Sequence, residues 1–303
     1  MTHSNETLPA ALARNVRDAL DEDIGRQDWT ALLVPAGRRV RASVTAKESA
    51  VLCGQDWFSA CVLALDGDAH IQWQTQDGSA VAEGSVVAAG SQVCHIRADA
   101  RALLSAERPA LNFLQTLSAV ATTTRRYVDA IAGLSPNPRG CAVLDTRKTL
   151  PGLRQAQKYA VRVGGGQNQR LALWDGILIK ENHIAAAGGV VPALRAAQAL
   201  QAGVGIQIEV ESLAELEQAL AADATSVLLD DFTLADMRRA YVIIAARALL
   251  EASGGVDLDS IRAIAATGVD RISVGKLTKD VRAIDLSLRV QPWARPGRLC
   301  QYE

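Results

Sequence analysis

Six short aliphatic segments in the second half of the 303-residue chain each run into polar or charged residues. AVL at 142–144 leads into Asp145, Thr146, Arg147 and Lys148, and GILI at 176–179 leads into Lys180, Glu181, Asn182 and His183. The later segments carry Glu209 with Glu211, Asp230 with Asp231, Glu251 with Ser253-Gly254-Gly255, and Ser273 with Gly275 and Lys276. One charged residue after a strand is ordinarily a solvated loop residue; six successive cases point to one shared site. Arg147, Lys148 and Lys180, with Arg170 nearby, are cations. Guanidinium groups clamp carboxylates and phosphates through paired hydrogen bonds, and Lys adds a point charge. Glu209 and Asp230 are hard carboxylates that suit Mg²⁺, which takes one or two protein carboxylates plus substrate oxygens. Ser253-Gly254-Gly255 and Gly275 can offer backbone N–H groups to a phosphate at the start of a helix. There is no GxSxG elbow, His183 is the one histidine of this half, and no Cys/His dyad can be assigned. Lys148, Glu209 and Asp230 remain as candidates for proton transfer. The set predicts polyanionic substrates, Mg²⁺ and no covalent nucleophile.

These side chains can converge only if the segments are parallel strands with their C-terminal ends at one mouth. Strands are predicted at 142–147, 176–180, 205–210, 226–231, 248–253 and 271–275. Helical spacing lies between them, as in Leu213, Leu216 and Leu220, or Leu258, Ile261, Ile264 and Ala265. Such alternation means βα units and a parallel sheet. Six or seven units in this length predict an α/β barrel smaller than the eight-unit form, with an open doubly wound sheet as the alternative. The first 110 residues read differently. Residues 38–47 alternate apolar and polar, as do parts of 69–97 broken by Gly78, Gly84 and Gly90, which predicts a mostly antiparallel β region. A helix is expected from Leu8 to Leu20. Another is expected from about Ser105 to Ile131, with Leu111, Leu114, Leu117 and Ala121 on one face and Pro109 in its first turn. The tail after Val281 reads as helical and then irregular.

Composition excludes other classes. Hydrophobic residues make up 49% and charged residues 21%, as in ordinary globular enzymes. Net charge is −1, without the basic excess of a nucleic-acid binder. The longest hydrophobic run, Ala240–Ala246, is far short of the ~20 residues that cross a bilayer. MTHSNETLPA lacks the pattern of a secretion signal. Five widely spaced cysteines without a CxxC pair fit reduced thiols and a cytoplasmic location.

The stretch DTRKTLPGLRQAQKYAVRVGGGQNQRLALWDGILIKENHI (145–184) resembles the signature of the quinolinate phosphoribosyltransferase family. The resemblance continues through DEDIGRQDWT (21–30), AERPALNFL (106–114), IEVES (208–212), LLDDFT (228–233), EASGG (251–255) and RISVGKLTKDVRAIDLSLR (271–289). It implies an N-terminal α/β sandwich domain and an incomplete, seven-stranded α/β barrel. The expected bounds are 1–115 for the sandwich, with the tail 281–303 packed on it, and 116–280 for the barrel. It also implies a homodimer with shared active sites. The implied reaction joins quinolinate to phosphoribosyl pyrophosphate with Mg²⁺, releasing pyrophosphate and CO₂ and giving nicotinate mononucleotide, a step of de novo NAD synthesis.

Carried over residue by residue, the resemblance puts Arg108 on quinolinate from the partner subunit. Arg147, Lys148 and Arg170 form the rest of that pocket, with Thr146 and Gln169 as further substrate-binding candidates. Lys148 and Lys180 also meet phosphoribosyl pyrophosphate. Glu209 and Asp230 hold Mg²⁺ and the ribose hydroxyls. Ser253, Gly254, Gly275 and Lys276 lie along the 5′-phosphate. Lys148, Lys180, Glu209 and Asp230 are the catalytic candidates, and Asn182 and His183 brace the mouth. Two positions depart from the family pattern. Asn168-Gln169-Arg170 stands where the family usually reads NHR, so position 169 can donate but carries no charge. Asp231 stands where the family has Asn, adding a negative charge beside Asp230. Two alternatives stand beside this reading: a molybdenum-transport-associated paralogue, which the retained LIKENH opposes, and a non-catalytic regulator, which the carboxylate pair opposes.

Overall fold

A computed structural model of the chain describes residues 5–74 and 81–292. In chain order it contains α1 (Leu8–Ile24), β1 (Arg39–Ala46), β2 (Ala50–Val51), α2 (Gln55–Leu65), β3 (His70–Gln72), β4 (Val86–Val87), β5 (Gln92–Asp99) and α3 (Ala100–Ile131). Then follow β6 (Ala142–Leu144), α4 (Arg154–Val163), β7 (Gly176–Ile179), α5 (Glu181–Ala187), α6 (Val190–Ala199), β8 (Gly205–Val210), α7 (Leu213–Ala221) and β9 (Ser226–Asp230). The chain ends with α8 (Leu234–Ile244), β10 (Leu249–Ser253), α9 (Ile261–Ala265), β11 (Arg271–Ser273), α10 (Lys276–Lys279) and β12 (Leu286–Pro292). It divides into two compact units, Met1–Thr122 with Arg282–Glu303, and Thr123–Val281. The expected bounds were 115 and 280; α3 runs unbroken through both 115 and 122, so it belongs in part to each unit.

In the first unit four strands form an antiparallel sheet in the order β12-β1-β5-β3. Alternation decides its two faces: Val40, Ala42, Val44, Cys94, Ile96 and Ala98 are buried, while Arg41, Arg97 and Gln72 are exposed. The tail was expected to be helical; instead Leu286–Pro292 pairs with β1 in register from Ala46↔Leu286 to Val40↔Pro292. The period-2 pattern of Leu286, Leu288 and Val290 was read with the wrong period. The helix α2 was also missed. It packs on α1 and buries Trp57, Phe58, Cys61 and Val62. Pro109 is inside α3 rather than in its first turn, because the helix starts at Ala100. There Pro removes one intrahelical N–H bond. The expected irregular segment beyond Pro292 and the Gly78 turn lie outside the described residues.

In the second unit all six predicted strands are present, in one parallel sheet ordered β6-β11-β10-β9-β8-β7. The first strand is paired with the last, so the sheet is rolled, and the doubly wound alternative does not hold. On the other side of β6, Leu144 makes a single parallel bridge with Gln167, and Arg170 Nη1 donates to the Gly176 carbonyl of β7 at 3.0 Å. The seventh strand of the incomplete barrel is thus reduced to one bridge.

Each strand has two faces. Ile208, Val210, Val227, Leu229, Leu250, Ala252 and Ile272 are fully buried under the helices, against residues such as Leu216, Ala219, Ala240 and Ile261. Each large aliphatic side chain so buried contributes about 1.5–3 kcal/mol. The alternate residues face the barrel interior. Local signals place the helices: Ser212 caps α7 by accepting from the Glu215 N–H at 3.2 Å, and Thr233 caps α8 by accepting from Asp236 at 3.1 Å.

Candidate active site

Because side chains alternate along a strand, inward positions stack in layers, and the uppermost layer sits at the strands' C-terminal ends. That layer bounds a cavity of about 280 Å³ lined by Thr146, Arg147, Lys148, Gln169, Arg170, Lys180, Glu209, Asp230 and Ser253. Nine of the predicted site residues therefore share one space. Leu178, Leu228, Glu251 and Ser273 form its floor. Leu178 and Leu228 were not singled out in the sequence, although each sits at an inward position of a strand whose end was; Glu251 and Ser273 were named among the strand-end polar residues but given no role.

Arg147 and Arg170 form the cationic wall. Arg170 is pushed below the usual guanidinium range, first by burial and then by the charge of Arg147. Arg147 Nε is buried without a hydrogen-bond partner, and neither guanidinium has an ion pair among the described residues. Two such groups in one cavity are matched by a ligand with more than one carboxylate or phosphate.

Arg170 and Gln169 are held from behind. The buried pair Lys158–Asp145 lies under their loop, and both side chains are wholly excluded from solvent. Asp145 Oδ1 also accepts from the Gln169 N–H at 2.9 Å, Asp145 Oδ2 accepts from Asn168 Nδ2 at 2.6 Å, and Lys158 Nζ donates to the Gln169 carbonyl at 2.9 Å. Burial pushes the Asp145 carboxyl up and the Lys158 ammonium down, each opposed by the other's charge.

Further round the mouth Lys180 Nζ donates to both oxygens of Glu209, at 2.9 and 3.1 Å. The Glu209 side chain is 6% exposed and that of Lys180 is 44% exposed. Burial raises the Glu209 pKa, Lys180 opposes the rise, and the charge of Asp230 adds to it. The two carboxylates sense each other, so a cation or a set of hydroxyl donors between them relieves repulsion. No group of three or more His, Cys, Asp or Glu side chains is placed to hold a metal ion among the described residues. The donor set fits Mg²⁺ bound through one or two carboxylates and completed by substrate oxygens. His183 Nδ1 accepts from the Lys180 backbone N–H at 3.1 Å, and so braces the mouth.

The remaining predicted residues stand outside the cavity lining. Gly254 has φ +99, and a Cβ there would lie 2.0 Å from Asp231 Oδ1, so only glycine fits. A Cβ on Gly275 would lie 3.4 Å from Lys148 Cδ. The expectation that Gly254-Gly255 opens a helix fails, since α9 begins only at Ile261; Gly275 does precede α10, a helix of one turn. Lys276 Nζ is 3.7 Å from Asp257 Oδ2, a half-exposed pair. Arg108 is an exposed residue of α3 in the first unit, with no ion pair among the described residues.

Comparison with known proteins decides the family. The description "Quinolinate phosphoribosyl transferase, C-terminal domain" matches residues 120–289, and the N-terminal domain of the same family matches residues 28–118. The chain belongs to the quinolinate phosphoribosyl transferase family. A relative from Mycobacterium leprae named nicotinate-nucleotide pyrophosphorylase (carboxylating) is 41% identical over 90% of this chain and 95% of its own. A Bacillus subtilis relative, named a probable enzyme of the same kind, is 37% identical over 89% and 90%. The solved nicotinate-nucleotide pyrophosphorylase from Francisella tularensis has a TM-score of 0.87 at 41% identity and covers 95% of this chain and 100% of that one. The barrel mouth of the present chain brings together Arg147, Arg170, Glu209 and Asp230, four of the residues that the sequence resemblance singled out. Its departures, Gln169 and Asp231, sit at the loop behind Arg170 and beside Gly254. Asp231 takes φ 53, a left-handed conformation that Asp and Asn both tolerate.

Proposed function

We propose that this protein transfers the phosphoribosyl group of phosphoribosyl pyrophosphate to quinolinate with loss of CO₂, giving nicotinate mononucleotide and pyrophosphate for NAD synthesis. The observation that carries the reading is the pair Arg147 and Arg170, two unneutralised guanidinium groups on one cavity wall, suited to a dicarboxylate. Lys148 and Lys180 supply positive charge for the pyrophosphate. Glu209 and Asp230 hold the ribose hydroxyls and Mg²⁺, which when bound neutralises pyrophosphate charge. Ser253 with Gly254, and Gly275 with Lys276, lie along the 5′-phosphate.

Catalysis on this reading rests on positioning and electrostatics, since the cavity offers no good covalent nucleophile. The carboxylates support a ribose whose anomeric carbon gains oxocarbenium character. The quinolinate nitrogen attacks as pyrophosphate departs. The ring, now cationic at nitrogen, stabilises the electron pair left at C2 when the 2-carboxylate leaves as CO₂, and a proton from water then completes the C2–H bond. Release of CO₂ from quinolinate, measured with Mg²⁺ and phosphoribosyl pyrophosphate, tests the reading; no release overturns it. Mass spectrometry of protein incubated with phosphoribosyl pyrophosphate and Mg²⁺ alone is expected to show no ribosyl adduct. An adduct on Glu209 or Asp230 would make a carboxylate the nucleophile.

The active form on this reading is a homodimer in the cytoplasm whose sites are shared, Arg108 reaching quinolinate from the partner subunit. Mixing Arg108→Ala with Arg147→Ala subunits is expected to restore part of the activity that each lacks. No recovery after subunit exchange counts against a shared site.

A further inference from the structure

A line of hydrogen bonds runs through the barrel interior beneath the cavity, and its direction is pinned at both ends. At the upper end is the backbone N–H of Arg170, which can only donate; it gives its proton to Gln169 Oε1 at 2.6 Å. The Gln169 amide nitrogen therefore points the other way, donating to Gln207 Oε1 at 2.7 Å. Gln207 Nε2 in turn donates to Glu251 Oε2 at 2.9 Å. At the lower end Glu251 Oε2 is the acceptor of that bond, with the Arg271 guanidinium beside it. Glu251 is wholly buried, its other oxygen accepts from Ser273 Oγ, and Arg271 Nε lies 3.8 Å away as a counter-charge. Each end alone would orient both amides, and the two ends require the same orientation. Reversing either amide would set carbonyl against carboxylate or N–H against N–H, leaving buried groups unpaired.

We infer that Gln207 and Glu251 are positioning residues for the substrate. They lock the Gln169 amide so that it presents its remaining N–H, a neutral donor, to the dicarboxylate beside Arg147 and Arg170. That N–H has no bond within the described protein, and Gln169 lines the cavity. The inference rests on the reading of this cavity as the quinolinate pocket. Neither Gln207 nor Glu251 is placed to react: Gln207 lies a layer below Glu209 on β8, and Glu251 a layer below Ser253 on β10.

The test is steady-state kinetics of three variants beside the wild-type enzyme. Gln207→Met removes the acceptor of Gln169 while keeping volume. It is expected to raise the KM for quinolinate about tenfold, the scale of one lost hydrogen bond, with kcat and the KM for phosphoribosyl pyrophosphate nearly unchanged. Gln207→Glu sets two carboxylates against each other and is expected to weaken quinolinate binding similarly. The swap Gln207→Glu/Glu251→Gln keeps the bond from Gln169 in its original direction and reverses only the one between 207 and 251: the new carboxylate at 207 accepts from Gln169 and from the new amide at 251. It is expected to recover most of the quinolinate KM. An unchanged KM in Gln207→Met, or a swap variant that does not fold or is folded yet still weak for quinolinate, overturns the inference. A wild-type protein that releases no CO₂ overturns the proposed function instead, so the two failures are distinct.

Discussion

Arg147 and Arg170 line one cavity, each raising the other's electrostatic energy, and no carboxylate of the described chain is paired with either. Arg147→Ala and Arg170→Ala are each expected to lose about 1.5–3 kcal/mol of quinolinate binding, roughly 10- to 150-fold in affinity. Calorimetric titration or the KM for quinolinate reads the loss. Unchanged affinity in both would remove the cavity from consideration as the dicarboxylate site.

The buried pair Asp145–Lys158 gives a stability prediction. Lys158→Met leaves a carboxylate buried among Asn168 and Gln169, and is expected to cost about 3–5 kcal/mol. The double variant Asp145→Asn/Lys158→Met removes both charges and is expected to be more stable than Lys158→Met alone. Urea denaturation of the two proteins settles the order.

Glu209 gives a pH prediction. Its pKa stands above the ordinary carboxylate range, chiefly through burial and partly through Asp230, while Lys180 holds it down. The folded state thus binds this proton more tightly than the unfolded state. The carboxylate's burial costs stability once pH has risen through the folded pKa, and acid relieves that cost. In carbon NMR titrations, Asp230→Asn is expected to lower the Glu209 pKa and Lys180→Met to raise it. Opposite movements would mean that the side chains do not interact as described.

Gly254 and Asp231 give a backbone prediction. Gly254→Ala places a Cβ at φ +99 and against the Asp231 carboxylate, so a loss of more than about 1 kcal/mol in stability is expected. Asp231→Asn keeps a side chain that tolerates the left-handed conformation, and is expected to change stability little. Thermal unfolding of both variants separates the two effects.

Much of the site was readable because strand ends carry their chemistry in sequence: Lys180, Glu209, Asp230 and Ser253 each close an aliphatic run and meet at the mouth. The interior below was only partly readable. Glu251 and Ser273 stood out among the strand-end polar residues but without a role, and Gln207 lies within a strand, where a polar residue gives no sign of which face it takes until the register is known. The tail failed for a related reason: Leu286–Pro292 acquires its identity as a strand only by pairing with β1, far away in sequence. Helix α2 hid in a region whose neighbours alternate with period 2, and tertiary packing of Trp57 and Phe58 fixes it. Lys158, inside α4, reads as an ordinary solvated lysine, and only the fold turns it inward to Asp145.

The single bridge between Leu144 and Gln167 has a consequence for mechanics. A full strand at this point would tie the wall to both neighbours through a ladder of backbone bonds. Here Asp145, Lys158 and Arg170 tie it through side chains instead. The wall that carries both Gln169 and Arg170 is therefore held by fewer backbone pairings than β8 to β10, and a dicarboxylate gripped by Arg147 and Arg170 would clamp it to the neighbouring β6 edge. Bound substrate then acts as a structural member, and amide exchange along residues 164–175 is expected to slow on binding more than exchange in β8 to β10.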